Sequence, residues 1–303
     1  MCTFNGEQFI REQLDSIAAQ THTNWKLVIS DDGSTDKTLE IARQWAKEVG
    51  VERVEFREGP RQGFAQNFLS MACDPSLKAD FYAFSDQDDV WLEQKLRFAL
   101  KLMREEGGLG ECDKPILYCG RTTYVTTDLK PYAQSPLFQR PAGFKNALVQ
   151  SLAGGNTMLF NVAVKNLLEK GRPLYPVASH DWWTYLLVTG CDGVVFYDKM
   201  PRVLYRQHNA NAVGRNSGWV TRFVRINMLL TGRFRDWTDS NVAALGAAKH
   251  LFSDINQDTL ESFAAYRQSN IIRRYAVLWE LKIFRQTRLG TLALIIGLLL
   301  KKI

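Results

Sequence analysis

The sequence predicts an α/β fold, a mostly parallel sheet flanked by helices, followed by a helical and basic C-terminal extension. Three observations predict it. Short apolar runs alternate with amphipathic, helix-spaced segments through residue 106, the pattern of a parallel sheet with helices on its faces. The apolar run 81–84 ends directly in the acidic cluster Ser85-Asp86-Gln87-Asp88-Asp89-Val90-Trp91, which places carboxylates at a strand's C-terminal end, where open α/β sheets bind ligands. After residue 215 the chain turns helical and basic.

The elements follow in order. Met1-Cys2-Thr3-Phe4-Asn5-Gly6 enters a helix almost at once, whereas a βαβ unit needs a strand before that helix, so only the last residues of a truncated first strand are expected. Ile10, Leu14, Ile17 and Ala18 fall at helical spacing. Residues 25–30 form a strand that ends in Asp31-Asp32-Gly33, and Ser34-Thr35-Asp36 offers capping oxygens to a second helix with the apolar face Ile41, Ala42, Trp45, Ala46 and Val49. Residues 51–56 continue as a strand, 63–72 as a helix and 81–84 as the strand before the acidic cluster. A helix then runs to Glu106, ended by Gly107-Gly108-Leu109-Gly110. Residues 116–119, 157–160, 194–197 and 203–205 are short strands. Beyond 215, Trp219, Phe223, Ile226 and Leu230 make one apolar stripe beside Arg222 and Arg225. The domain division is therefore 1–214 and 215–303.

Composition excludes disorder: the 303 residues are 46% hydrophobic and can bury a large core. The net charge of +6 is unevenly spread, with 16 Lys+Arg against 6 Asp+Glu in residues 201–303 and a net acidic remainder. Those basic residues interleave with leucine and isoleucine instead of lining a polar face, which argues against nucleic acid as a partner. Five cysteines, Cys2, Cys73, Cys112, Cys119 and Cys191, show no Cys-x-x-Cys pair and follow no signal peptide, so a reducing, cytoplasmic compartment is expected and a zinc site is not.

Crowded carboxylates raise one another's pKa unless a cation lies between them, and hard oxygen ligands suit Mg²⁺ or Mn²⁺. The cluster by itself equally suits a solvated loop in which Asp88 or Asp89 caps the next helix. Taken with their neighbours, the motifs resemble a known family. Cys2-Thr3-Phe4-Asn5-Gly6, Gln20-Thr21, Ser30-Asp31-Asp32-Gly33-Ser34-Thr35-Asp36, Gly63-Phe64-Ala65-Gln66-Asn67-Phe68 and the acidic cluster stand in the order and spacing of the inverting family 2 glycosyltransferases, whose fold is GT-A, a Rossmann-like α/β sheet. The resemblance covers residues 1–210. Gly154-Gly155-Asn156-Thr157-Met158, His180-Asp181-Trp182-Trp183 and Tyr205-Arg206-Gln207-His208 look like the rhamnosyltransferase branch.

The resemblance implies a nucleoside diphosphate sugar as donor, dTDP-L-rhamnose by branch, and a saccharide or polyprenyl-linked saccharide as acceptor. Phe4 and Asp32 would hold its base and ribose, with Gly63 and Asn67 against it; without the resemblance, Asp32 and Gly63 are ordinary turn residues. Cys2 suits either the base pocket or a small buried position. Asp86 and Asp88 would hold Mg²⁺ or Mn²⁺, with Asp88 the direct ligand and Asp89 a helix cap. Arg206 and His208 would cover the diphosphate. Asp181, opening an apolar helix, would be the catalytic base that inversion requires, or simply an N-terminal helix residue, and the two roles are compatible. Gly155, Asn156, His180 and Trp182 would lie on the acceptor side, although two tryptophans opening such a helix equally suit a core. His180 departs from the Glu that relatives commonly carry there.

Two rival functions remain at the level of sequence. A metal-dependent nucleotidyltransferase shares the acidic pair but needs a Gly-rich activator loop that is absent near the N-terminus. A degenerate, non-catalytic binding protein would follow from the truncated first strand. The apolar run 289–300, flanked by Arg288 and Lys301-Lys302, is shorter than the roughly 20 residues of a membrane span. It suits a helix lying in the lipid interface, which would hold the protein on the inner face of the cell membrane, or one docked on the core.

Overall fold

The computed structural model describes residues 1–107, 114–208 and 232–300. The stripe Trp219, Phe223, Ile226 and Leu230, the division at 214/215, the helix-ending Gly108 and Gly110, and Cys112 lie outside the described residues.

The N-terminal half alternates as expected. β1 (Cys2–Thr3), α1 (Ile10–Ala18), β2 (Leu27–Asp31), α2 (Thr38–Val49) and β3 (Val54–Glu58) build a parallel sheet in the order β1-β2-β3. Its register pairs Cys2 with Ser30 and runs from Leu27↔Val54 to Asp31↔Glu58. The helical periodicity is spent on this sheet: Ile10, Leu14 and Ile17 of α1 and Ala42, Trp45 and Ala46 of α2 are buried in one apolar cluster with Ile29 and Val54.

After α3 (Phe64–Ala72) the pairing changes. β4 (Phe81–Ala83), β5 (Val90–Trp91), β6 (Ile116–Val125), β7 (Pro131–Gln134), β8 (Leu159–Asn161) and β9 (Val194–Arg206) form a mixed sheet in the order β4-β8-β6-β9-β5, with β7 on β6. Only β6 and β9 pair in parallel; β4–β8, β6–β8, β5–β9 and β6–β7 are antiparallel. The Cys2 N–H donates to the Ser85 carbonyl at 3.3 Å, joining the rim of β1 to that of β4. The α/β class therefore holds, with parallel pairing concentrated in the first three strands. Two details differ from expectation. Residues 194–206 make one long strand, and Val90 and Trp91, which continue the acidic loop, become a strand because they pair with Leu204 and Val203 of β9.

Helices α4 (Lys95–Gly107), α5 (Phe144–Ala147), α6 (Val162–Lys170) and α7 (His180–Gly190) cover this sheet. α7 is buried almost throughout, with Trp183, Tyr185, Leu186, Leu187 and Val188 at 0% exposure. The C-terminal helices α8 (Arg233–Ala248), α9 (Asp254–Gln268), α10 (Ile271–Leu281) and α11 (Arg288–Leu299) pack onto the same cluster through Leu245, Phe263, Ile283, Leu294 and Leu298. The run 289–300 is thus α11, capped by the Thr287 hydroxyl accepting from the Gly290 N–H at 3.0 Å, and it buries one face in the protein. Among the described residues no helix is long and apolar enough to cross a membrane.

Candidate active site

The C-terminal ends of β1, β2 and β4 meet, and each delivers a motif. Asp31, closing β2, accepts from the Thr3 hydroxyl (2.7 Å), the Ser34 hydroxyl (2.6 Å) and the Gly33 and Ser34 N–H groups (3.1 and 2.8 Å), so it builds the turn and is buried in doing so. Asp32 is aimed the other way. Its two carboxylate oxygens accept from the Arg61 and Gly63 N–H groups at 2.6 and 2.9 Å, holding the loop that enters α3. Gly63 sits at φ +85° with open space where a Cβ would be, a backbone that a residue with a side chain rarely adopts. Asn67 lies behind this loop. It is 1% exposed, and its amide exchanges hydrogen bonds with Ser30, accepting from the hydroxyl at 2.6 Å and donating to the carbonyl at 3.0 Å. Its contribution is to brace α3 against β2.

The Phe4 ring is 55% exposed at this rim. Its backbone is clamped by the Gln87 amide, which accepts from the Phe4 N–H and donates to its carbonyl, both at 2.9 Å. Gln87, inside the acidic motif, thus ties the acidic loop to β1, a role that sequence reasoning missed although the residue was in view. Asn5 was missed as well: at φ +47° it accepts from the Thr35 N–H at 2.9 Å, locking β1 to the turn after β2.

The three aspartates of the cluster separate into three environments. Asp89 is fully buried and accepts from the Asn156 amide and, at 3.3 Å, from the Arg206 N–H. Burial and its two neighbours push its carboxyl well above the usual carboxylate range. The expected helix cap is corrected here: α4 starts only at Lys95, so Asp89 ties together the loop, β9 and the 155–157 turn instead. The same contact corrects Asn156, whose amide faces inward to Asp89 and not an acceptor. The helix start is held by Gln20 and Thr21: Gln20 accepts from the Leu96 N–H (3.1 Å) and donates to the Leu92 carbonyl (2.9 Å), and the Thr21 N–H donates to the Glu93 carbonyl (2.8 Å).

Asp88 faces His208, with its Oδ2 2.7 Å from Nε2. Its carbonyl accepts from the Arg206 Nε at 2.9 Å. Arg206 itself is 1% exposed and spends its remaining donors on the Thr127 carbonyl and on Glu12, with the guanidinium 4.6 Å from the Phe9 ring. That corrects its expected place over a diphosphate: its charge is satisfied in the interior, and it fixes the loop carrying Asp88. His208 stays at the rim beside Asp88. Asp86 is partly exposed, and burial, then Asp88, then Asp181 push it up to about 7.

Asp181 therefore reaches the acidic loop electrostatically from the first turn of α7. Its Oδ1 accepts from the Trp182 N–H at 2.6 Å and from the Ser179 hydroxyl, and its Oδ2 from the Gly155 N–H at 3.1 Å. Those donors fix the carboxylate's direction at a helix N-terminus. Gly155 has no room for a side chain, since a Cβ there would stand 2.3 Å from the His180 Nε2.

His180 and Trp182 are corrected from the acceptor side to the interior. Trp182 is 7% exposed and donates its indole N–H to the Ala147 carbonyl at 2.6 Å, so its ring is core. His180 is 4% exposed, stacked on Phe68 at 4.0 Å and edge-on to Phe84 at 4.7 Å, with neither ring nitrogen hydrogen-bonded. Burial pushes it down from 6.5 to about 4. Because the unfolded chain then binds the extra proton, stability is expected to fall as pH drops from 6.5 toward 4, by on the order of 2–3 kcal/mol from this residue. Urea unfolding at pH 7.5 and 4.5 checks it: His180→Leu should lose less stability than the parent over that interval, and equal losses would refute the assignment.

A separate cavity of about 520 Å³, lined by Arg140, Phe144, Lys145, Asp192, Asn256 and Phe284 among others, contains none of these groups.

A parallel β-α-β start, a carboxylate loop at its C-terminal rim and a mixed second half define a GT-A glycosyltransferase. The S. aureus TarS 1-349 structure in complex with UDP shares this fold with a TM-score of 0.52 over 99% of this chain and 88% of TarS, at 17% identity. The chain belongs to glycosyl transferase family 2, whose family model matches residues 1–168. It is 25% identical over 254 residues to the dTDP-rhamnosyl transferase RfbG of Shigella flexneri, covering 78% of this chain and 81% of RfbG. Over a shorter stretch of 107 residues, 34% of this chain and 39% of the relative, it is 31% identical to the Escherichia coli UDP-Glc:alpha-D-GlcNAc-diphosphoundecaprenol beta-1,3-glucosyltransferase WfgD.

Proposed function

We propose that this glycosyltransferase moves L-rhamnose from dTDP-L-rhamnose to a saccharide acceptor carried on a polyprenyl diphosphate, with inversion at the anomeric carbon, in surface polysaccharide synthesis at the inner face of the cell membrane. The observation that carries the reaction type is the meeting of Asp181 with Asp86 and Asp88, close enough that Asp181 helps raise the Asp86 pKa although 95 residues separate the two. Likeness to RfbG supports the donor. Likeness to WfgD, whose name specifies a diphosphoundecaprenol-linked substrate, supports the acceptor class. The helix α11, with Leu289 and Leu292 exposed, supports the membrane surface.

In this reading Phe4 covers the base, and Asp32, while holding the 61–63 loop, keeps further lone pairs for a ribose hydroxyl. Asp181 lies on the acceptor side and takes the proton of the incoming hydroxyl as the new bond forms. Asp86 and Asp88 fit Mg²⁺ or Mn²⁺: crowding has driven Asp86 up to about 7, which a cation between the two would reverse. Among the described residues no group of three or more His, Cys, Asp or Glu side chains is placed to hold an ion, so water and diphosphate oxygens would complete the shell. When bound, the ion would neutralise charge on the departing nucleoside diphosphate. His208 orients Asp88, and Arg206 fixes the loop that presents it.

The test is turnover of a panel of sugar nucleotides, dTDP-L-rhamnose, UDP-glucose and GDP-mannose, with Mn²⁺ or with EDTA, and product stereochemistry by NMR. We expect dTDP release from dTDP-L-rhamnose, dependent on a divalent ion, and a product anomer opposite to the donor's. Pyrophosphate release from dTTP and a sugar phosphate would instead identify a nucleotidyltransferase.

A further inference from the structure

The two helices that end the described chain leave large apolar side chains in solvent. On α10, Ile272, Tyr275 and Trp279 follow one another at i, i+3 and i+7 and are 79%, 53% and 78% exposed. On and just beyond α11, Leu289, Leu292, Ile296 and Leu300 repeat the spacing at 72%, 53%, 44% and 56%, while Leu294 and Leu298 on the other side are buried in the core. Residues at these spacings share one helix face. Scattered single exposures need no explanation, but two such stripes on neighbouring helices do.

The helices are held to each other and to the body. Buried Arg274 of α10 donates to the Ser269 carbonyl at 2.9 Å and to the Leu298 carbonyl of α11 at 3.4 Å. In the turn between them, Arg140 donates to the Arg285 carbonyl at 3.0 Å and lies 3.7 Å over the Phe284 ring, and Asn146 donates to the Phe284 carbonyl at 3.1 Å. The stripes are therefore presented by a fixed scaffold.

Charge selects the occupant. Residues 269–303 contain 7 Lys+Arg and a single acidic residue, Glu280. A second copy docked on this face would set the cationic region against itself. An anionic bilayer complements it, and Trp and Tyr rings suit the headgroup boundary, with one apolar side and one polar atom.

We propose that the α10 and α11 stripes together form one face that lies in the headgroup boundary of an anionic bilayer, with Tyr275 and Trp279 as its anchors. This deepens the membrane placement offered above and rests on it, extending the contact from α11 to α10. Deleting residues 289–303 is a poor test, because it strips Leu294 and Leu298 from the core, so exposed positions are substituted in the full chain. Cosedimentation is measured with vesicles of phosphatidylglycerol and phosphatidylethanolamine, and with phosphatidylcholine alone. The parent should bind the anionic vesicles, more weakly in high salt, and leave the neutral ones. The pairs Ile272→Ser with Trp279→Ser, and Leu292→Ser with Ile296→Ser, should each weaken binding by about tenfold while circular dichroism stays unchanged. A parent chain that ignores anionic vesicles refutes membrane placement altogether. Release by the α11 pair with parental binding by the α10 pair leaves that placement standing and refutes the two-helix face. A dimer in light scattering that the α10 pair converts to monomer makes a second copy the occupant and overturns the proposal.

Discussion

Asp181→Asn is expected to lower sugar transfer by about 10²–10⁴-fold, the usual contribution of a positioned general base, while donor affinity stays within about twofold. The substitution is close to isosteric, and the amide oxygen can still accept from the Trp182 and Gly155 N–H groups that orient the carboxylate. The fold at the start of α7 should therefore survive, and only proton acceptance is lost. A second effect follows from the same geometry. Asp181 is one of the charges that raise Asp86, so its removal should shift the titration of Asp86 downward. Single-turnover transfer and dTDP-sugar binding by calorimetry measure the first effect, and the acid limb of nucleotide binding measures the second. Transfer at the parental rate would remove Asp181 from the chemistry.

Asp88→Asn is expected to lower divalent-ion-stimulated transfer by on the order of 10³-fold, about 4 kcal/mol of transition-state stabilisation. The amide keeps a hydrogen-bonding partner for His208, whose Nε2 lies 2.7 Å from the Asp88 Oδ2, and the backbone carbonyl that Arg206 grips is untouched. What disappears is one negative charge beside Asp86. Two observables separate this from a general loss of structure. Mn²⁺ should no longer tighten nucleoside diphosphate binding, and Asp86 should titrate lower because its second largest source of elevation has gone. If Mn²⁺ still strengthened binding as in the parent, Asp88 would not be a ligand.

The acidic loop shows where sequence reasoning reached and where it stopped. Residues Phe81–Ala83 ahead of the cluster marked a strand, and a strand's C-terminal end in an α/β sheet is a ligand rim, so the neighbourhood of the site was legible. Which of its carboxylates faces outward was not. Asp89 turns inward because Val90 and Trp91 pair with Leu204 and Val203, a contact between strands more than a hundred residues apart along the chain. The same pairing draws Arg206 under the loop, where Glu12, Thr127 and the Asp88 carbonyl satisfy it. Trp182 and His180 failed for a related reason. α7 is apolar on nearly every side, so helical periodicity carried no signal for its outward face.

By itself the sequence determined the α/β alternation, the turn chemistry after β2 and the acidic cluster at the rim of β4, along with a basic, apolar C-terminal end. Those follow from local physics: side-chain periodicity, capping oxygens and the grouping of like charges within a few residues. Tertiary structure alone decided that Asp181 meets Asp86, that Asn67, Asn156 and Arg206 brace the site from behind, and that α11 buries one face and exposes the other. These depend on which strands and helices come to lie side by side, and burial, which selects between an ion held in solvent and one paired in the interior, is a property of that assembled environment.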